Sequence, residues 1–353
     1  MSGGKNNTGN FFEDFRVGQK IAHATPRTLS SGDAALYQAL YGSRFALQSS
    51  DTFAQFCGLP RSPLDDLLVF HTVFGKSVPD ISLNAVANLG YAEGKFLRPV
   101  YPGETITAHS EVIGLKENSN RQTGVVYVHT QGMNEKSEGV LSYVRWVMVR
   151  KRDPEAAVAE AVVPKLATSV APADLRVPLA MKFDTLFDTA LSGSKHLWDD
   201  YTAGEKIDHA DGITVEEAEH MMATRLYQNT ARVHFNQFAE GQGRFGRRLI
   251  YGGHVISLAR AISFNGLANA LTIAGINGGR HVNPLFAGDT VFAWSQVLDK
   301  QPLGHRKDAG LLRLRLVATK NLPCGEFPDK DETGAYPENV ILDFDFWAVM
   351  PRG

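Results

Sequence analysis

The chain is short of most things that would give its function away cheaply. It has only two cysteines in 353 residues, Cys57 and Cys324, in dissimilar contexts and without a CxxC spacing. That excludes a disulfide scaffold or a thiolate metal site and fits reduced thiols in a cytoplasmic protein. No run of about 18 apolar residues occurs, so a membrane-spanning helix is not expected. A net charge of -2 leaves no basic surplus for a phosphate backbone, which argues against nucleic acid as the main partner. The histidines show no HExxH spacing, and no GxGxxG or Walker-type loop follows a strand, so neither a metal nor a redox nucleotide is expected. Met1 to Asn10 is Gly-, Asn- and Ser-rich with no apolar core, and reads as a disordered arm.

What remains is an ordinary globular composition, 43% hydrophobic and 21% charged, in a chain long enough for about two domains. Those two are copies of one another. FEDFRVGQKIAHATPRTLS from Phe12 lies over WDDYTAGEKIDHADGITVE from Trp198 at an offset of 186, which puts His23 on His209 and Tyr41 on Tyr227. FLRPVYPGETITAHSEV lies over HVNPLFAGDTVFAWSQV at 185, with Pro99 on Pro284 and Gly103 on Gly288. One net residue lost between matching blocks is what duplication followed by loop drift leaves.

Each copy reads as a strand (20–28 and 206–214), a short capped helix, a more apolar helix (67–78 and 253–268), then several strands separated by turn signals. The capping-box pattern looks stronger in the second copy, Thr214 with Glu217, than in the first, Ser30 with Asp33. A buried helix followed by an antiparallel meander places the chain in the α+β class, a sheet wrapped around a helix, with the two sheets able to pair edge to edge. The expected division is an arm over 1–10, a first repeat over 11–152, a Pro- and Ala-rich linker over 153–194, and a second repeat over 195–353. PCGEFPDKDETGAYPE from Pro323 reads as a long hairpin loop.

Chemistry concentrates in the second copy. YQNTARVHFN from Tyr227 carries an imidazole, His234, just after an amphipathic helix, and LIYGGHVISLARAIS carries Gly252 and Gly253 where a buried helix opens. An imidazole can move protons near neutral pH, and helix-end amides can hold a developing oxyanion.

These residues resemble the MaoC-like family of (R)-specific enoyl-CoA hydratases, here as a double hotdog. The family pattern is Gly-Asp-x-Asn-Pro-x-His after the first helix, then a His-Gly pair opening the buried helix, then Pro-x-x-x-Gly-Asp-x. The last element occurs twice, as PVYPGET and PLFAGDT. Mapped on that pattern, His234 is kept in the second copy, the aspartate is Asn229, and Asn-Pro is Ala231-Arg232. The first copy has Ser43 and Gln48 at the Asp and His positions, and Phe70 and His71 for the glycine pair. The resemblance therefore puts the active centre in the second repeat, with the first as scaffold and a wall of the acyl pocket.

Longer segments, among them LDDLLVFHTVFGKSVPDISLNAVANLGYAEGKFLRPV, LSYVRWVMVRKRDP and EEAEHMMATRLYQNTARVHF, are similar to the branch acting on mesaconyl-CoA. The resemblance implies an acyl-CoA substrate, no cofactor beyond the coenzyme A of that substrate, catalysis by His234, Asn229 and Gly253, and substrate contacts from Arg232, Arg225, Gly252 and His254. In place of an aspartate, Asn229 would avoid repelling the substrate's own carboxylate, with Arg232 or Arg225 as countercharge. Arg247 and Arg248 are candidates for the coenzyme A phosphates. A double hotdog already mimics a two-chain pair, so a homodimer is compatible and not required. Hydration of other enoyl-CoA thioesters and a non-catalytic acyl-CoA-binding protein remain as alternatives. A thioesterase is disfavoured, since no acid occurs between Gly253 and Ala270.

Overall fold

The structure is a computed structural model and describes residues 5–158, 160–183, 186–304 and 306–353. Residues 1–4 of the expected arm, three positions of the linker and one of the turn after Leu303 lie outside the described residues. The end of the arm is tied down: Asn84 Nδ2 donates to the Thr8 and Asn10 carbonyls, and Asn10 Nδ2 to Asp80 O.

Ten antiparallel strands form one sheet. They are β1 (Lys20–Thr28), β2 (Ala85–Phe96), β3 (Thr105–Glu117), β4 (Thr123–Met133), β5 (Gly139–Arg150), β6 (Lys206–Thr214), β7 (Thr272–His281), β8 (Thr290–Pro302), β9 (Ala309–Lys320) and β10 (Val340–Pro351). Their spatial order is β1-β3-β4-β5-β2-β7-β10-β9-β8-β6, the same five-strand unit written twice and joined at β2–β7, where Tyr91 faces Gly279 and Lys95 faces Gly275. Each unit curls around its own helix, Asp66–Ser77 or Gly252–Ile262. Both helices are buried on nearly every side, as their almost continuous apolar runs require. The repeat extends to polar contacts: His23 Nε2 meets Ser110 Oγ at 2.7 Å, and His209 Nε2 meets Ser295 Oγ at 2.8 Å.

The linker packs on the outer face of the sheet. Val170, Leu175, Met181 and Phe183 share a buried cluster with Leu47, Phe53, Trp347 and Val349, and Trp347 Nε1 donates to Val170 O. Covering on both faces explains why β10 is buried almost throughout. Its two acids, Asp343 and Asp345, meet the guanidiniums of Arg315 and Arg313 on the neighbouring strand.

Three expectations change. The capping box forms in the first copy, where Ser30 N donates to Asp33 Oδ2 and Asp33 N to Ser30 Oγ. In the second copy Thr214 Oγ1 pairs across the sheet with Thr290 Oγ1 and Glu217 binds Arg248, so neither is free to cap. The second buried helix stops at Ile262 rather than reaching Ala268, because Gly266 takes φ +103° and the Asn265 carbonyl is held by His209 Nδ1. Finally, the helices begin at Asp66 and Gly252, so the glycine pair lies over Asp66 and Leu67, not Phe70 and His71. The 186-residue offset of the first strand thus runs on through the helix.

Candidate active site

The two buried helices meet across the molecular pseudo-dyad, and the contacts there set the position of everything nearby. Tyr227 OH donates to Tyr41 OH, its own repeat partner, at 2.8 Å; Tyr41 OH in turn lies 2.9 Å from His254 Nδ1. Gly75 is a forced choice. A Cβ on it would stand 1.8 Å from the carbonyl oxygen of Tyr227, so only glycine lets the first helix approach the turn that carries Asn229.

Beside this crossing lies a cavity of about 640 Å³ with walls from both halves. The second half supplies Asn229, Arg232, His234, Tyr251, Gly252 and His281; the first supplies Phe74, Ser82, Asn88, Tyr91, Arg145 and Arg150. His234 sits on a single helical turn, Arg232–Phe235, half-buried at the cavity wall. Its Nδ1 is 2.8 Å from the Leu249 carbonyl, which requires the proton on Nδ1 and leaves Nε2 as a free acceptor. Burial pulls its pKa down to about 4, against the opposing pull of that carbonyl, so the ring is neutral at pH 7.

Asn229 is fully buried. Its Oδ1 accepts from Ala231 N at 3.2 Å, while Nδ2 has no partner among the described residues. A buried amide with an open donor on a cavity wall is a site for an acceptor. Gly252 is the first residue of the second helix, and the preceding Tyr251 offers no side-chain cap. Tyr251 N donates to His220 Nε2, but neither Gly252 N nor Gly253 N has an acceptor among the described residues. These amides carry the positive end of the helix dipole. A side chain on Gly252 would run into the His281 ring at 2.4 Å, and one on Gly253 into the rings of Tyr251 and His71.

Thus Asn229, Arg232, His234 and Gly252 are brought together on one wall, with Gly253 directly behind. Two expected contacts are not. Arg225 is exposed on the helix Glu217–Leu226 and does not line the cavity. His254 is buried beside Tyr41 and His220, away from the lining, with burial holding its pKa near about 3. Arg248 is engaged by Glu217 and Arg247 lies over the Phe286 ring, 4.0 Å from its centroid. Exposed guanidiniums on the cavity lining come instead from Arg150, Arg232 and Arg244.

Two lining groups were not read from the sequence. His281 closes β7, with Nε2 3.2 Å from Tyr91 OH and Nδ1 unpartnered among the described residues; nothing in its local sequence marks it. Arg145 on β5 did leave a signal. It shares the period-2 face of Leu141, Tyr143, Val147 and Val149, and a charge in that series is out of place on a core-facing side.

An imidazole with one open nitrogen, an unsatisfied amide and a free helix end around a deep cavity, on two sheets each wrapped about a helix, define a MaoC-like double-hotdog protein. Solved structures agree: the chain superposes on a MaoC domain protein from Chloroflexus aurantiacus with TM-score 0.98 at 62% identity, covering 99% of this chain and 100% of that one. A double-hotdog protein of Mycobacterium tuberculosis matches at TM-score 0.75 and 26% identity over 98% of this chain and 99% of that one. The family model for mesaconyl-CoA hydratase matches residues 3–323, and the chain belongs to that family. Among curated relatives it is 63% identical to the β-methylmalyl-CoA dehydratase of Chloroflexus aurantiacus, over 99% of both chains. It is 60% identical to the mesaconyl-CoA hydratase of Cereibacter sphaeroides, over 99% of this chain and 100% of that one.

Proposed function

We propose that this protein reversibly hydrates mesaconyl-C1-CoA to β-methylmalyl-CoA, with His234 as the proton-transfer group. The observation that carries the assignment is the His234 ring, fixed through Nδ1 and open at Nε2 on the cavity wall that also bears Asn229 and Gly252. His234 Nε2 takes a proton from water as the oxygen bonds to C3, the β-carbon of the thioester. The electron pair of the double bond moves into the enolate, whose oxygen lies at the amides of Gly252 and Gly253. The proton on Nε2 then passes to C2. Water has added across the bond with nothing left over, and the reverse sequence is the dehydration.

Positioned proton transfer of this kind contributes roughly 10²- to 10⁴-fold in rate, and one oxyanion donor roughly 10²- to 10³-fold. Asn229 Nδ2 is free to hold the water. Exposed Arg150, Arg232 and Arg244 supply positive charge for the coenzyme A phosphates. Beyond the thioester's own coenzyme A, the scheme uses only side chains and backbone amides. Because one chain builds both walls, it needs no second copy, and it suits a cytoplasmic enzyme; among the described residues no helix is long and apolar enough to cross a membrane.

His234→Ala should lower kcat on mesaconyl-CoA by roughly 10²- to 10⁴-fold while leaving the fold intact. Undiminished turnover in the variant, or none in the parent protein with any enoyl-CoA, would make this a binding module. Crotonyl-CoA turned over faster than mesaconyl-CoA would make it a hydratase of simple enoyl-CoA thioesters.

A further inference from the structure

Arg145 has the least comfortable position in the molecule. It is 0% exposed, on a central strand of the first half, and among the described residues no carboxylate forms an ion pair with it. Its Nη2 donates to Ser77 Oγ at 2.8 Å and lies 3.4 Å from Ser82 Oγ, while Nε and Nη1 have no partner among the described residues. Phe74 covers one face of the guanidinium, with Cζ 4.1 Å from the ring centroid. Burial pulls its pKa below the usual guanidinium range, and the nearby phenols of Tyr143, Tyr91 and Tyr251 only oppose that shift. A buried cation compensated by two serine hydroxyls and one aromatic face is costly, and an anion that completes its hydrogen bonds offsets that cost.

Arg145 lines the same cavity as His234, from the opposite half of the chain. It lies directly across from Tyr91 in the β2–β5 register, and Tyr91 OH meets His281 Nε2 on the His234 side. Phe74, beneath the guanidinium, packs on Tyr251 at 5.6 Å, and Tyr251 packs on His234 at 5.4 Å between ring centroids. The cavity lining therefore holds a buried guanidinium without a carboxylate partner and an imidazole with one open nitrogen, linked through the rings of Phe74 and Tyr251. Asn88, with neither amide atom partnered, adds polar capacity to the first-half wall.

We propose that Arg145 is the specificity determinant of this site: its open Nε and Nη1 receive the free carboxylate of a dicarboxylic acyl thioester. The inference rests on the hydratase reading and extends it, because it selects the substrate class. The carboxylate on C3 is drawn to the first half, the thioester carbonyl to the second, and the double bond spans the gap beside His234. Arg232, expected from sequence in this role, is exposed and so gives a weaker, screened attraction. The degenerate repeat is thus half of the recognition apparatus.

The test uses two substrates that undergo the same reaction, mesaconyl-CoA and crotonyl-CoA, which lacks the carboxylate. Arg145→Gln should reduce kcat/KM for mesaconyl-CoA by roughly 10²- to 10³-fold, mostly through KM, and change crotonyl-CoA by less than about 3-fold. Arg145→Lys, which keeps the charge but not the fork, should fall between. Equal losses on both substrates in a folded variant would make Arg145 a structural residue, and an undiminished preference for mesaconyl-CoA would remove it from the site. Competitive binding of succinyl-CoA and butyryl-CoA to the unmodified protein needs neither turnover nor a folded variant. Succinyl-CoA should bind at least about 10-fold tighter, and equal binding would overturn the proposal. That arm reads carboxylate selection even if mesaconyl-CoA proves not to be hydrated, so the two readings can fail separately.

Discussion

The two halves carry the same strands and the same central helix, and they differ most at the start of that helix. In the first half the N-terminus is filled from within: Asp65 accepts from Leu67 N at 2.9 Å, and Asp66 binds Thr272 Oγ1 and Ile273 N of the other half. Burial and the neighbouring Asp65 raise Asp66 to about 7. In the second half two glycines stand there, and their amides stay open. The position opposite shows the same divergence. Gln48, where the family pattern has histidine, is buried and donates to Leu271 O across the interface, whereas His234 turns its free nitrogen to the cavity. A duplicated unit has kept an anion-ready helix end in one copy and used the same place as a clamp in the other.

The sharpest test of that contrast pairs His234→Ala with Gln48→Ala. The first should lower kcat by roughly 10²- to 10⁴-fold with little change in Tm. The second should leave kcat within about 3-fold while costing roughly 1–3 kcal/mol of stability, because the Leu271 carbonyl loses its donor in a buried place. Activity lost with Gln48 would show that the first copy still takes part in the chemistry.

Acid should separate the halves next. Burial depresses His209 to about 4, His220 to about 2 and His254 to about 3 in the second half, and His71 to about 3 in the first. All four are at most 1% exposed. A histidine held neutral in the fold, but titrating near 6.5 when unfolded, contributes stability above pH 6.5, and that contribution is lost as the pH falls towards 4. At pH 5 the loss is roughly 2 kcal/mol for each group. Amide exchange followed from pH 7 to 5 should therefore show the second half loosening before the first. Uniform loosening would mean the two halves unfold as one unit.

Much of this was legible beforehand because it follows from periodicity and repetition. The offset of 186 located β1 and β6 to the residue, and the apolar runs located both central helices. The break at Asn265-Gly266, just beyond the end of the second helix, was also signposted, by a turn dipeptide that the apolar run around it concealed. His234, Asn229 and Gly252 could be found because they sit at pattern positions on contiguous chain. Arg145 could not be weighed in the same way. Its importance comes from what is missing around it, and the absence of a carboxylate partner is a property of three-dimensional packing. Arg225 erred in the opposite direction: only four residues before Asn229 in sequence, it faces solvent.

A smaller effect is expected at Asn229. Asn229→Asp restores the carboxylate of the family pattern and keeps the acceptor for Ala231 N, yet it replaces the open donor with a charge. If the substrate carboxylate shares the cavity, like charges in a poorly screened place should lower kcat/KM for mesaconyl-CoA by about 10-fold and spare crotonyl-CoA. A variant faster than the parent on mesaconyl-CoA would remove the explanation for the asparagine.

The smallest effect lies at the helix caps, where sequence and structure ranked the two copies in opposite orders. Ser30 caps its helix reciprocally with Asp33, and those hydrogen bonds, with Arg27 after them, keep the Asp33 carboxyl below the usual range despite partial burial. Glu216, at the matching place, makes no side-chain cap, and Thr214 spends its hydroxyl on Thr290 at the exposed edge of the sheet, as Thr28 does on Thr105. Ser30→Ala should therefore cost about 1 kcal/mol by denaturant titration. Thr214→Ala should cost less than about 0.5 kcal/mol, because water can replace an exposed hydroxyl pair. Were the two costs reversed, the Thr214-Glu217 capping box suggested by the sequence would be the form populated in solution, and the helix that leads to Asn229 would start about half a turn earlier than Glu217.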